Sequence, residues 1–427
     1  MQTKVRYHVI AATTVAAVIL YLDRICMGEI AKLDSFQHAL SLTDGQKGAI
    51  LSAFFFSYAL AQVPAGWLSD RFGARKMLPF YIAVWSLCTI MTGLANSFLM
   101  LLVARLLFGL AQAGCYPTAG SLIKRWMPLS QRGTASSVVS VGGRLGGALA
   151  PVLTTWLVTT KLLPFQLDWR EVLGLYGIVG FAVAIYFWWI CRESPAEHPA
   201  CNGAEREYVT AEDVEATESG PPKLPPVLSL LCSGTMWLMC VLQFGINVGW
   251  VFLITWLPTY LKKVKGVDDN TGGLMSTIIL TSGIVGMLLG GPLTDIAKRF
   301  LGRRWGRSAP AAACYVFAVL AYLSCLYLQS AWHFVIAASL VAFFTDLSVP
   351  AIWAYMQDVG GKNTAAVFGW GNMWGNLGGA AIAQLIPYAL KNWDSNGDWH
   401  EVFLLLALGY LFAFIAALGI NANKKIE

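Results

Sequence analysis

The chain has 427 residues, 56% of them hydrophobic and 13% charged, with 30 Lys and Arg against 24 Asp and Glu. Soluble domains carry about 25% charged residues, and here apolar runs of spanning length recur from end to end, which excludes a soluble fold and a soluble domain on a single anchor. The formal net charge of +6 invites a nucleic-acid partner, a reading that the placement of the cations removes below.

Taken in order, the runs predict an all-α polytopic membrane protein. Its twelve transmembrane helices cover 7–28, 48–70, 77–95, 98–122, 134–158, 171–191, 229–261, 272–295, 308–328, 331–356, 366–390 and 399–420. The first run begins after Lys4 and Arg6 like a signal peptide, but Asp23-Arg24 and the lack of a small-residue cleavage site predict a retained first span. A central Asp or Arg costs roughly 2.5–3.5 kcal/mol in a transmembrane helix. Neighbours on a helix point about 100° apart and do not neutralise each other, so Asp23 and Arg24 face a polar cavity. The second span closes on Gly66-Trp67-Leu68-Ser69-Asp70-Arg71-Phe72-Gly73-Ala74-Arg75-Lys76. Arg105 lies in the fourth span and Arg144 in the fifth, within a glycine-dense stretch and one turn after Ser140. Those glycines pack helices closely; with no preceding strand and no Lys-Ser/Thr they are not a phosphate loop.

Arg192 to Pro226 breaks the apolar rhythm, carries seven Glu and ends in Pro221-Pro222-Lys223-Leu224-Pro225-Pro226. It reads as a solvated cytoplasmic linker, dividing the chain into 1–191, 192–226 and 227–427. The run 229–261 exceeds one bilayer thickness and is expected to tilt or project. Asp346 lies near the middle of the tenth span, four residues before Pro350.

The halves repeat. Gly143-Arg144-Leu145-Gly146-Gly147-Ala148 matches Gly375-Asn376-Leu377-Gly378-Gly379-Ala380, and Gly66-x-x-x-Asp70-Arg71 matches Gly291-x-x-x-Asp295, at offsets of 232 and 225 residues. Two similar offsets indicate two pseudo-symmetric six-helix bundles with a site between them near the midplane. With the N-terminus inside, 19 of the 30 cations fall on the cytoplasmic side and eight, Lys47 and Lys161 among them, on the other; Arg24, Arg105 and Arg144 remain within the membrane. The bias places both termini in the cytoplasm and accounts for the basic total, so no nucleic-acid partner is expected. The nine cysteines include no C-x-x-C and read as small packing residues, with no metal framework.

The Gly66–Lys76 stretch resembles the loop signature of the major facilitator superfamily, and Arg105-x-x-x-Gly109 is similar to a second, looser one. Within that superfamily the chain resembles the anion:cation symporters, which include hexuronate, aldonate and glucarate transporters and vesicular glutamate and sialic acid carriers. The matching pieces are Tyr21-Leu22-Asp23-Arg24, Cys115-Tyr116-Pro117-Thr118, Asp168-Trp169-Arg170, Arg192-Glu193-Ser194-Pro195-Ala196-Glu197-His198-Pro199, Thr255-Trp256-Leu257-Pro258-Thr259-Tyr260-Leu261 and Asn372-Met373-Trp374-Gly375-Asn376-Leu377-Gly378-Gly379. The resemblance implies a monomeric carrier in the cytoplasmic membrane that moves a small organic anion, such as a hexuronate or aldonate, by proton symport and without a cofactor. It implies that Asp23 couples the proton, that Arg24 contacts the substrate carboxylate and that Arg105 pairs with acids. It also implies that Gly66, Asp70, Arg71, Gly73 and Arg75, with Asp295 in the second half, latch the cytoplasmic side. One position departs from the pattern: the family commonly has Glu five residues before the fourth-span proline, where this chain has Gln112, and Gln does not titrate.

Each site residue has a plainer reading beside the functional one. Arg24 either binds a carboxylate bidentately or pairs structurally. Asp23 either exchanges a proton or serves as a fixed partner of Arg105. Arg144 either binds substrate or snorkels, and Asp346 either substitutes for the missing fourth-span acid or holds a local contact. The i,i+4 pairs Tyr58 with Gln62, Gln243 with Asn247 and Asn372 with Asn376 either face hydroxyls of a polyol acid or satisfy helix contacts; Tyr21, Gln112 and Trp353 complete the candidate lining. Three cations against two acids favour an anion. A sugar-phosphate/phosphate antiporter of the same fold is the nearest rival, and such carriers pair one Arg from each half; here the second half has none inside a span. A non-transporting solute sensor is the rival from another class, although the tail from Asn421 to Glu427 is too short for a signalling domain. No G-x-S-x-G or H-E-x-x-H constellation is present, so an enzyme is not expected.

Overall fold

The computed structural model describes every residue except 1, 41, 160–166, 212–221, 223, 394–398 and 427, and leaves out the side chains of Asp34, Asp44, Lys47 and Asp269. Lys161, Lys223 and the acidic middle of the linker therefore lie outside the described residues. The rest is helical, with no strand among the described residues. Among the described residues ten helices are long and apolar enough to cross a membrane; one of them, Asn270–Cys325, is two spans joined. Thr364–Asn392, whose apolar content is diluted by Gly369, Gly371, Asn372, Gly375, Asn376, Gly378 and Gly379, completes twelve.

The spans are, in order, Val5–Ile30, Asp44–Phe72, Ala74–Leu94, Phe98–Gln112 with Cys115–Trp126, Arg132–Thr159, Trp169–Ile190, Gly234–Val251 running on to Lys263, the two parts of Asp269–Cys325, Ala331–Val359, Thr364–Asn392 and His400–Gly419. Three expectations change. The fourth span is broken at Ala113-Gly114, because Pro117 supplies no backbone N–H to continue the ladder. The run 229–261 is not one helix: Val227–Cys232 stands apart, Ser233 turns the chain, and a π turn over Phe252–Trp256 precedes Pro258. The eighth span runs on past Asp295 to a sharp turn at Gly302, whose φ of 72° matches the left-handed φ of 91° at Gly73. Only glycine adopts such angles without strain, and each turn reverses the chain after the Asp-bearing end of its half.

Local capping sets several starts. Thr43 and Gln46 form a reciprocal capping box at the second span, Asp168 and Glu171 another at the sixth, and Ser97 and Asp268 accept from the first-turn N–H groups of the fourth and eighth. Inside each half, helices pack through small residues. A Cβ on Gly146 would lie 2.1 Å from the Val18 carbonyl oxygen, and one on Gly245 2.3 Å from that of Gly409. Large side chains such as Phe55, Phe56, Ile178, Trp189 and Leu404 point outward, as lipid contact requires. The halves meet through the second span on the eleventh, the fifth on the eighth and tenth, and the fourth on the tenth and eleventh. All nine cysteines are free, and all but Cys232 are buried.

Candidate functional site: carboxylate caps at one face and a cationic centre

On the face that bears both termini, two carboxylates cross between the halves. Asp70 accepts from the Ala365 and Ala366 N–H groups at 3.0 and 2.9 Å, at the start of the eleventh span. Asp295 accepts from the Gly133 and Thr134 N–H groups at 2.9 and 2.8 Å, and from the Thr134 hydroxyl at 2.7 Å, at the start of the fifth. Each acid thus lies in the last turns of a span of one half, before its glycine turn, and caps a helix of the other, where unpaired N–H groups and the helix dipole favour negative charge. Gly66 makes this approach possible, since a Cβ there would sit 2.3 Å from the Ala365 carbonyl oxygen. Around the two acids, Arg132 and Arg307 hold buried Asp358 at 3.1 and 2.9 Å, and Lys124 donates to the Gly361 carbonyl at 2.6 Å. Arg71 lies over Trp67 and Phe72, while Arg75 lies over Trp188.

The polar segment after the sixth span belongs to this face, and its expectation as solvated linker is corrected at two glutamates. Glu193 pairs with Arg125 and accepts from the Arg75 N–H at 3.2 Å, capping the third span. Glu205 is buried and accepts from Thr3 Oγ1 (2.6 Å), the Val5 and Arg6 N–H groups (3.2 and 3.1 Å) and the Arg6 guanidinium (2.9 Å), capping the first span. Burial pushes its carboxyl up, but these bonds outweigh burial and hold it below the ordinary glutamate value. Helix N-termini draw these acids out of water, which linker composition does not reveal.

At the midplane, Asp23 and Arg24 diverge as helix geometry demands. Asp23 is buried, and its Oδ2 accepts from the Trp85 indole at 3.1 Å while Oδ1 has no protein donor. Arg105 has no ion pair among the described residues, where the resemblance implies pairing with acids: it is buried over the Phe108 and Phe54 rings, at 4.6 and 5.2 Å. Arg24 lies within a cage of Tyr58, Tyr21 and Phe54, with ring centroids 4.5, 4.8 and 5.1 Å away. Its Nε donates to Gln112 Oε1 at 3.1 Å, Gln112 in turn donates to the Leu20 carbonyl, and Arg24 Nη2 is without a partner.

Arg144 reaches across to the other half. Its Nη2 donates to Asp346 Oδ1 at 2.7 Å, and its guanidinium lies 3.8 Å from the Trp250 ring centroid. Tyr21 and Tyr116 sit between the two arginines. A Cβ at Gly143, next to Arg144, would meet the Tyr116 hydroxyl and the Tyr21 ring at 2.1 and 3.0 Å. Tyr116 lies edge-on to Trp353, which packs edge-on to Phe368.

The remaining candidates divide. Tyr58 receives the Asn372 amide at 3.4 Å from the other half, and both amide atoms of buried Gln62 lack partners, as does buried Ser140 Oγ. Asn376 bonds back to the Asn372 carbonyl and Asn247 to the Gln243 carbonyl, one turn earlier on the same helix. Gln243 and Asn247 pack toward Gly371 and Gly375, within a helix contact of the second half. Phe54, Trp85 and Trp250 are central residues that composition hides, because isolated aromatics in apolar helices carry no spacing signal; Glu193, Glu205 and Asp358 are their counterparts at the face.

This arrangement can hold an anion: one guanidinium with an unpaired edge, a second neutralised by a single carboxylate from the other half, and hydroxyl and amide groups between. The chain was compared with known proteins. The family model described as Major Facilitator Superfamily matches residues 13–383. A probable sulfoacetate transporter, SauU, of Cupriavidus necator is 28% identical, over 99% of this chain and 96% of that protein. A probable galactarate/D-glucarate transporter, GudP, of Bacillus subtilis is 27% identical over 98% and 92%. Among solved structures, the proton:xylose symporter XylE superposes with a TM-score of 0.73 at 13% identity, over 100% of this chain and 98% of that one, which speaks for the fold. The family model covers most of the chain, and the all-helical, many-span fold is consistent with it: the chain belongs to the Major Facilitator Superfamily.

Proposed function

We propose that the protein is a secondary transporter of a small organic anion, a sugar acid or similar carboxylate, moved by proton symport and alternating access. Arg24 is the observation that carries this reading: a guanidinium within the first span, caged by three aromatic rings, with no ion-paired acid among the described residues. A planar cation so placed takes a carboxylate or sulfonate edge-on, and the relatives' names, sulfoacetate and galactarate/glucarate, are of that chemistry. Tyr21, Tyr58, Gln62, Ser140 and Asn372 supply donors and acceptors for hydroxyl groups.

Asp23 is the proton site beside Arg24, since its neighbour in the fourth span is the non-titrating Gln112. Its one protein donor is an indole, which supports the carboxylate less than an ion pair would, and Asp346 is a second acid in the other half. The face bearing the termini is the cytoplasmic side of the inner membrane, closed here by the Asp70 and Asp295 latches. Rocking of the halves breaks these latches and turns the site inward. The proton gradient is the energy source, and a single chain holds the whole site.

Uptake into proteoliposomes of labelled hexuronate, aldonate and glycerol phosphate, with and without an inward proton gradient, tests this. The expected result is gradient-driven accumulation of a carboxylate. In Asp23→Asn, accumulation is lost while exchange of substrate across a balanced membrane persists. Exchange of phosphate esters with no carboxylate accumulation overturns the reading.

A further inference from the structure

The Arg144–Asp346 pair joins opposite halves in the middle of the spans and has no counterpart at Arg24. Asp346 is fully buried, and Arg144 is its one donor among the described residues. Its second oxygen has no partner and faces Gly283 of the eighth span, which offers no side chain. The other titratable group near it is Tyr410 of the twelfth span, whose hydroxyl is bonded to Thr345. Among the described residues no second cation reaches it. Arg144 itself faces Trp250 and, with Arg24, shares Tyr21 and Tyr116. Two guanidiniums thus flank one tyrosine pair, one without an acid and one holding an acid that the protein supplies.

We propose that Asp346 stands in for the second acidic group of a two-headed substrate. A dianion sets one acid on Arg24 and the other on Arg144, displacing Asp346, which is then neutralised by one proton. This inference rests on the anion-symport reading and deepens it by naming the substrate class. The exchange balances: one carboxylate replaces another on Arg144, and the proton that enters from the open side resides on an Asp346 oxygen. On release the proton leaves and Arg144 returns to Asp346. The proton is required because a buried carboxylate with neither a cation nor a second donor is disfavoured, and neutralisation is the cheaper outcome. A monoanion needs only Arg24 and leaves the Arg144–Asp346 pair intact. The site therefore counts acidic groups, and this proton travels only with dianions.

The test compares D-glucarate with D-gluconate, chains of equal length that differ by one carboxylate, using the full-length protein in liposomes. The expected result is one more proton entering per glucarate than per gluconate. The apparent glucarate affinity should also fall more steeply with rising pH, by up to about tenfold per pH unit beyond gluconate. In Asp346→Asn the two proton counts should become equal. Equal counts in the unmodified protein overturn the inference without recourse to any variant, as does an extra proton that survives Asp346→Asn. Uptake of gluconate with no binding of glucarate sinks this inference alone; failure of both acids to bind or move sinks the anion-transport reading itself.

Discussion

The acids at the terminus-bearing face and those at the midplane are built differently. At the face, both oxygens of Asp70, Asp295 and Asp358 have donors: helix N–H groups for the first two, arginines for the third. At the midplane, Asp23 and Asp346 each have one oxygen with a donor and one without. A buried polar network that is fully satisfied fixes one arrangement, whereas a half-satisfied one is high in energy and open to change of partner or charge. The same residue type is therefore fully bonded between the halves at one level and half-bonded at another, the contrast on which the proposed latch and proton-site roles rest.

The largest expected effect breaks the midplane side of this contrast. Replacing Arg24 with Ala removes the guanidinium edge, and losing one partner of a buried charge pair costs about 2–5 kcal/mol. Anion binding should weaken by roughly 30-fold or more, read by titration calorimetry or substrate-protection of thermal unfolding. Arg24→Lys should recover little of this, because an ammonium lacks the planar fork. Retained affinity in Arg24→Ala would move the binding site away from the first span.

The next effect tests the face. A carboxylate at a partly buried helix N-terminus stabilises by up to about 2 kcal/mol, so Asp70→Asn with Asp295→Asn should shift the balance between outward and inward states by roughly 10-fold or more. Distances between spin labels on the two halves report this directly. An unchanged distance distribution would assign the closure to Arg132, Arg307 and Asp358 instead.

The smallest effect separates two kinds of cap. Glu205 and Glu193 cap the first and third spans from the segment that follows the first half, whereas Asp70 and Asp295 cap across halves. Glu205→Gln should leave the state balance alone and raise hydrogen exchange at the first-span N-terminus, by a few-fold for the loss of about 1 kcal/mol. Because its hydrogen bonds hold the Glu205 carboxyl below the ordinary glutamate value, the clamp contributes fully above that value. It is lost as pH falls through the lowered one, so the protection factors at residues 5–8, corrected for the intrinsic pH dependence of exchange, should fall on acidification and stay level toward alkaline pH. A fall in protection toward alkaline pH would contradict the assignment.

Much of the fold is legible in the residues. Twelve apolar periods, the cation bias and the two glycine-rich repeats point to the paired bundles, and Asp70 and Asp295 stand out because the repeat sets them at matching places. The Arg24 cage was half visible: Tyr21 and Tyr58 are polar-tipped residues near it in the pattern, but Phe54 is an ordinary apolar residue until the second span turns it inward. A buried Arg such as Arg105 suggests an acid partner, whereas the fold lays its guanidinium over two aromatic faces. Glu205 was misjudged because a charged linker looks solvated until a helix N-terminus is placed against it.

The sequence alone determined the solvent, since hydropathy is summed residue by residue, and it determined the repeat and the inventory of charges carried into the membrane, because each ion there is costly enough to be conspicuous. Only the tertiary structure decided which charge meets which. That Asp23 accepts from Trp85, that Arg144 takes Asp346 and that Arg24 takes no acid depends on how spans distant in the chain are rotated against one another. Rotation is set by the close helix contacts at Gly66, Gly143 and Gly369, where the missing side chains admit a neighbour that no linear pattern names.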